Sequence, residues 1–273
     1  MKKTLVIAII PALIISLTGL TSCKNRSAES EQKKIEQAQI QTIPDEIKKN
    51  VYPIPNSAYI INLLADYGVS YEPTIPNSYE NVKKYLNISK RAQNLGAYGA
   101  DLSYATLYNN QQEVINYLSA IRSLANDLNM PKIYDESLYN RIKINVDKKD
   151  SLVAILTDAF NNTYAYLSDN DQLTLGLLVV GGAWVEGMHL TSHVSGKTYN
   201  NAAILKVLLK QKETFEQYLE ITKPYLTDPN LGEFVKWLEP MKQAYAGLST
   251  SLTPEQLSKI KKAIEGIRSK IVQ

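Results

Sequence analysis

The chain has 273 residues, with 30 basic and 27 acidic side chains, 18 tyrosines against 3 phenylalanines, two histidines and one cysteine. A charge this close to balance excludes a nucleic-acid footprint and a polybasic membrane patch. A single thiol excludes a disulfide framework, and two histidines remove most templates for imidazole-based catalysis.

The first 22 residues read as an export signal. Met1-Lys2-Lys3 is a short positive region, an apolar stretch runs from Leu5 to Leu17, and Leu20-Thr21-Ser22-Cys23 follows. Charge, a short apolar core and small residues before a cut site describe a secretory signal rather than a spanning helix. The last four residues resemble the lipobox of bacterial lipoproteins. That resemblance implies cleavage before Cys23 and acylation of both its thiol and its new amino group. Two or more acyl chains would hold the chain firmly at a membrane, at about 0.8 kcal/mol per buried CH₂. Lys24 is not the aspartate of an inner-membrane retention signal, and Lys24-Asn-Arg-Ser-Ala28 carries no acidic cluster like a surface-export tag. The expected location is therefore the periplasmic face of an outer membrane. Cleavage removes Lys2 and Lys3 and leaves a net charge near +1.

Residues 23–50, rich in Ser, Glu, Gln and Lys, read as an acylated cysteine and flexible tether, partly helical over 31–41. Residues 51–273 read as the helical domain. A Pro-rich approach leads to a short helix over 58–67, and Ile75-Pro-Asn-Ser78 repeats the lettering of Ile54-Pro-Asn-Ser57 before a longer helix over 79–109. On that helix Ile88, Ala92, Leu95, Gly99, Leu102 and Thr106 share a face. Further helices are expected over 111–129, 135–144 and 151–167. The first should bury Val114, Tyr117, Leu118, Ile121 and Leu124, and the last Leu152, Ile155, Leu156, Phe160 and Tyr164.

The run 173–190 is the most apolar stretch of the body. Gly176, Ala183 and Gly187 project into one narrow sector, and large apolar residues cover the rest, which is the pattern of a buried central helix. Glu186 and His189 interrupt it too soon for a clean span of about 20 apolar residues. The small-residue surface around Gly96 and Gly99 is its natural partner. Helices over 200–226 and 231–248 follow, with Pro224 bending the end of the first and Pro240 dividing the second. Thr253-Pro-Glu-Gln256 opens a final amphipathic helix. No alternating run suggests a strand. The expected fold is all-α, an irregular bundle of eight to ten mostly antiparallel helices.

Chemistry concentrates on the central helix. Glu186, His189 and His193 fall into a sector about 60° wide on a helix, so they are the candidate ligands of a single divalent metal, with Asp101 as a fourth. A paired di-metal bundle is excluded because it needs a second Glu-x-x-His. The competing expectation is that the second half of the central helix emerges into water with these side chains solvated. Asp101 and Trp184 are the candidate ligand-binding residues. Asp101, in Gly99-Ala-Asp-Leu-Ser-Tyr104, is either on the exposed edge of its helix or buried with a partner such as Tyr104 or a base. Exposure is expected, because acids are rarely buried unpaired. The tyrosines are expected at half-buried positions with wet hydroxyls, a tyrosine-lined groove being the alternative. No Walker loop, Gly-x-Ser-x-Gly or His-Glu-x-x-His is present.

With the lipobox, the tether and segments such as 87–108 and 181–186, the chain resembles helical lipoproteins of Bacteroidetes-type bacteria, a resemblance that implies no activity. The expected function is a non-catalytic module anchored to the membrane by lipid, binding an envelope protein or a small ligand and no nucleic acid. The alternatives are a metal-binding protein or metal-dependent enzyme using Glu186, His189 and His193, and a purely structural envelope protein.

Overall fold

A computed structural model describes residues 71–130, 133–193, 202–248 and 251–273, all within one compact unit, Ile43–Gln273. The signal segment, Cys23, the tether and the helix expected over 58–67 lie outside the described residues. Among these residues there are nine α-helices and no strand, an all-α fold. The helices are α1 (Ile88–Leu107), α2 (Gln111–Asp127), α3 (Glu136–Ile144), α4 (Lys149–Asp169), α5 (Leu173–His193), α6 (Ala202–Thr222), α7 (Pro229–Trp237), α8 (Glu239–Tyr245) and α9 (Pro254–Val272).

Most helix starts use a side-chain cap, and those at Asp228 and Thr253 are the ones expected from the sequence. Asn87, Asn110, Asp135 and Asp228 each accept a backbone N–H in the first turn of the helix that follows. Thr253 and Gln256 complete a reciprocal capping box at the start of α9, with Pro254 at the first helical position. Asn87 also accounts for one difference from expectation. The single helix expected over 79–109 is two elements, a 3₁₀ helix (Tyr79–Lys84) capped by Ser78 and then α1. The Asn87 side chain offers its oxygen to the Lys90 N–H at 2.8 Å and restarts the helix there. Ile88, placed on the inner face by its spacing, is 52% exposed as a result. Pro224 ends α6 in a 3₁₀ turn (Lys223–Tyr225), and the segment around Pro240 divides at Leu238 into α7 and α8.

The centre of the fold is α5. By length and composition it could cross a membrane, but 89% of its apolar window is buried inside the protein. It packs on α1, α4, α6, α7 and α9. Its glycines face different neighbours. A Cβ on Gly182 would lie 2.0 Å from the Gln93 carbonyl oxygen, and one on Gly96 would lie 1.9 Å from the Val179 carbonyl oxygen. The backbones of α1 and α5 therefore touch, as two small-residue surfaces allow. The contact runs through Gly182 and Ala183 rather than along Gly176, Ala183 and Gly187, because Gly176 faces Tyr164 and Leu167 on the other side. Gly181 faces Phe234 and Tyr218. A helix with neighbours on every side needs small residues on several faces, so one smooth stripe is too simple a description.

The tyrosines meet expectation in part: Tyr71, Tyr79, Tyr108, Tyr139, Tyr166 and Tyr225 are half-buried, and others are not. Tyr85, Tyr98, Tyr104, Tyr117, Tyr218 and Tyr245 are buried, and several hydroxyls bond to backbone inside the protein. Tyr98 donates to Ser78 O at 2.9 Å, Tyr218 to Leu177 O at 2.9 Å, and Tyr245 to Leu208 O at 3.0 Å. Each such bond ties a side chain of one element to the backbone of another. Burial pushes the Tyr98, Tyr218 and Tyr245 hydroxyls above the ordinary phenol range, so they remain donors.

Candidate functional site

The close approach of α1 and α5 brings together the two acids singled out in the sequence. Glu186 lies one turn beyond Gly182 on α5 and is 1% exposed, while Asp101 on α1 is fully buried. Arg268 reaches in from α9 and grips Glu186 through both arms of its guanidinium, with Nε to Oε2 at 2.7 Å and Nη2 to Oε1 at 2.8 Å. A two-pronged pair of this kind is the strongest arrangement open to a carboxylate. The same Nη2 also donates to the Ile75 carbonyl at 3.2 Å. Residues 75–77 thus lie over the cluster, where the Ile75 carbonyl serves Arg268 and the Asn77 N–H faces Asp101.

Asn77 continues this network away from the charges. Its Nδ2 donates to the Tyr85 hydroxyl at 2.9 Å and to Asn94 Oδ1 at 3.1 Å, and Asn94 Nδ2 donates to the Ile271 carbonyl at 2.9 Å. The segment before α1, α1 itself and the end of α9 are therefore joined by buried amides.

The expectation that Asp101 is exposed is wrong. α1 is enclosed almost all round from Ala92 onward, so a position off the apolar stripe is still inside. Neither Asp101 oxygen finds an ordinary hydrogen-bond partner. Burial and the neighbouring Glu186 carboxylate push the Asp101 carboxyl well above its usual range, against a smaller opposing pull from Arg268. Two carboxyls cannot hydrogen-bond without a proton between them. A proton held on Asp101 lets it donate towards Glu186 and leaves one negative charge opposite one guanidinium.

The second half of α5 is also inside the protein rather than solvated. His189 is 9% exposed, and Thr191 and Ser192 are buried. Burial, Arg268 and His193 hold the His189 imidazole down to about 2, so the ring is neutral. It stacks on His193 with centroids 4.2 Å apart. His193 turns elsewhere, with Nε2 2.6 Å from Glu265 Oε1 and Nδ1 2.8 Å from the His189 carbonyl oxygen.

Glu186, His189 and His193 share a helix face as expected, yet Glu186 and His193 are engaged by separate partners and the buried His189 Nδ1 has no hydrogen-bond partner among the described residues. Arg268 takes Glu186, Glu265 takes His193, and the two rings stack instead of converging. Among the described residues no group of three or more His, Cys, Asp or Glu side chains is arranged to hold a metal ion. Trp184 belongs to the core, 3% exposed, stacked on Phe215 at 5.0 Å and donating to Gln211 Oε1 at 3.1 Å.

Arg268 is the residue that sequence reasoning missed. It lies on the polar flank of an amphipathic helix with many lysines, and its one signal is being an arginine there. Arginine is the residue suited to a buried, two-pronged ion pair.

A different opening lies at the surface. A groove of about 420 Å³ runs between α8 and α9, with Trp237 at one end and lysines from α9 beside an apolar floor. No family model, curated protein or solved structure gives a significant match to the chain.

Proposed function

We propose that this chain is a bacterial lipoprotein, exported, cut before Cys23, acylated there, and held at the periplasmic face of an outer membrane. Its helical body acts as a non-catalytic binding module. The lipobox Leu20-Thr21-Ser22-Cys23, directly after a matching apolar core, supports the anchor. One observation carries the binding half. The buried Glu186 carboxylate is held by Arg268 and lies inside the protein, whereas the α8–α9 groove presents an apolar floor and lysines outward. That is the composition of a surface that captures something rather than of a centre that transforms it.

A clickable fatty acid fed to a diderm bacterium expressing the full chain tests the anchor. The protein should take up label, and Cys23→Ser should abolish labelling and release the body from the membrane fraction. Label retained in Cys23→Ser, or none in the parent, would remove the lipoprotein assignment.

A further inference from the structure

The α8–α9 groove has features that narrow its occupant. On α9, Lys259, Ala263, Gly266 and Lys270 lie within a sector of about 60°, beside the buried stripe of Leu257, Ile260, Ile264 and Ile267. This line of small residues faces Pro240 and Ala244 of α8 across the groove. Gly266 is the notable position. A Cβ there would meet nothing within 4 Å, so no close packing demands glycine. The residue carries a helix-interior cost of roughly 0.5–1 kcal/mol relative to alanine and keeps the floor open.

The charged side chains that line the groove have one sign. Lys259, Lys262 and Lys270 line it, and no acidic side chain is among its described lining residues. Lys259 is paired with Glu255 at 2.8 Å, and Lys270 sits over the Trp237 ring at 5.7 Å. Lys262 has no ion-pair partner among the described residues and is the free cation at the edge. The occupant must therefore join an apolar body to an anionic head.

Size separates a small molecule from a protein. The α8 wall has seven residues, about 10 Å at 1.5 Å per residue, whereas a stable protein interface covers about 800 Å² on each partner. The volume of about 420 Å³ falls in the range of small-ligand sites, roughly 300–1,000 Å³. At about 30 Å³ per water-sized group it takes roughly a dozen heavy atoms. One aliphatic chain with its head fits, and a two-chain lipid does not.

We infer that the α8–α9 groove binds a free single-chain aliphatic carboxylate, its tail along Ala263 and Gly266 and its head at Lys262. This rests on the reading of the body as a binding module and adds the class of ligand. Calorimetry tests it, titrating octanoate, decanoate and dodecanoate below their micelle concentrations into the processed chain carrying Cys23→Ser, free of detergent. A fully buried methylene is worth about fourfold in affinity, so an open groove should give about two- to fourfold per added methylene. Gly266→Phe should lower dodecanoate affinity at least tenfold without lowering the melting temperature, since the ring enters open space. Lys262→Gln should weaken carboxylates several-fold and leave dodecanol unchanged.

Binding unaffected by Gly266→Phe would overturn the site. Dodecanol binding as tightly as dodecanoate, and lost in Gly266→Phe, would overturn the ligand class but leave a binding module. No binding of either would overturn the inference and also remove the groove as support for that module.

Discussion

Replacing Arg268 with methionine should destabilise the protein by about 3–4 kcal/mol at pH 7, with a loss that shrinks steeply in acid. Methionine keeps much of the apolar length of a side chain that is 16% exposed and removes its guanidinium, which faces the carboxylate of a side chain that is 1% exposed. Removing one partner of a buried pair costs about 3–5 kcal/mol, because the other charge stays buried and uncompensated. Here the remainder is two neighbouring carboxyls, and the fold can escape by taking up a second proton. Taking up that proton becomes easier in acid by about 1.4 kcal/mol per pH unit. The escape caps the loss and gives its sign. As pH falls towards 5 the unfolded chain binds the proton almost as readily, and the deficit should drop to about 1 kcal/mol. Adding Glu186→Gln to Arg268→Met should recover most of the loss at pH 7. Urea unfolding at pH 7 and pH 5 checks all three statements. A loss below 1 kcal/mol, equal at both pH values, would mean that water reaches the pair.

The second large effect is expected from one methyl group. Gly182→Ala puts a Cβ 2.0 Å from the Gln93 carbonyl oxygen and 2.7 Å from its carbonyl carbon, where ordinary contact begins near 3.4 Å. These are backbone atoms of a buried helix, so no flexible side chain can yield and α1 must move away from α5. Overpacking costs about 1–3 kcal/mol and occasionally more. The rigidity of both partners places this case at or above the upper end, against roughly 0.5–1 kcal/mol gained from alanine's better helix propensity. The expected net loss is about 3 kcal/mol. Gly266→Ala is the internal control, with nothing within 4 Å of its new Cβ, and should instead gain roughly 0.5–1 kcal/mol. Thermal unfolding of the two variants should shift in opposite directions. Equal shifts would show that the α1–α5 contact is looser than described.

Much of the architecture is legible in particular residues. Asp228 and Thr253 mark helix starts because capping is a local interaction, and the spacing of Val114, Tyr117, Leu118, Ile121 and Leu124 marks an inner face because periodicity is local too. The partnership between Gly96 and the central helix can also be seen, since small residues have few other reasons to cluster there. The cluster at the centre is not readable in the same way. Nothing near Asp101 in the sequence says that α1 is enclosed on all sides, and Arg268 is separated from Glu186 by 82 residues. Its partner is chosen by how α9 lies on α5, a tertiary fact. The buried tyrosines are unreadable for a related reason, because whether a phenol hydroxyl is wet or bonded to a distant carbonyl depends on which backbone arrives beside it.

The interior is closed by a charge cluster in which burial and the Glu186 carboxylate favour a proton on Asp101. A group whose folded value is raised takes stability from the protein as pH rises from its unfolded value towards its folded one. Asp101 should therefore act against stability above about pH 4. Carboxyl carbon NMR of labelled protein, with Asp101→Asn to assign the signal, observes this proton directly. The Asp101 resonance should stay at its protonated position through and beyond the range near pH 4 where an exposed aspartate titrates. A midpoint at that ordinary value would mean that the site is wet, and it would contradict the closed interior.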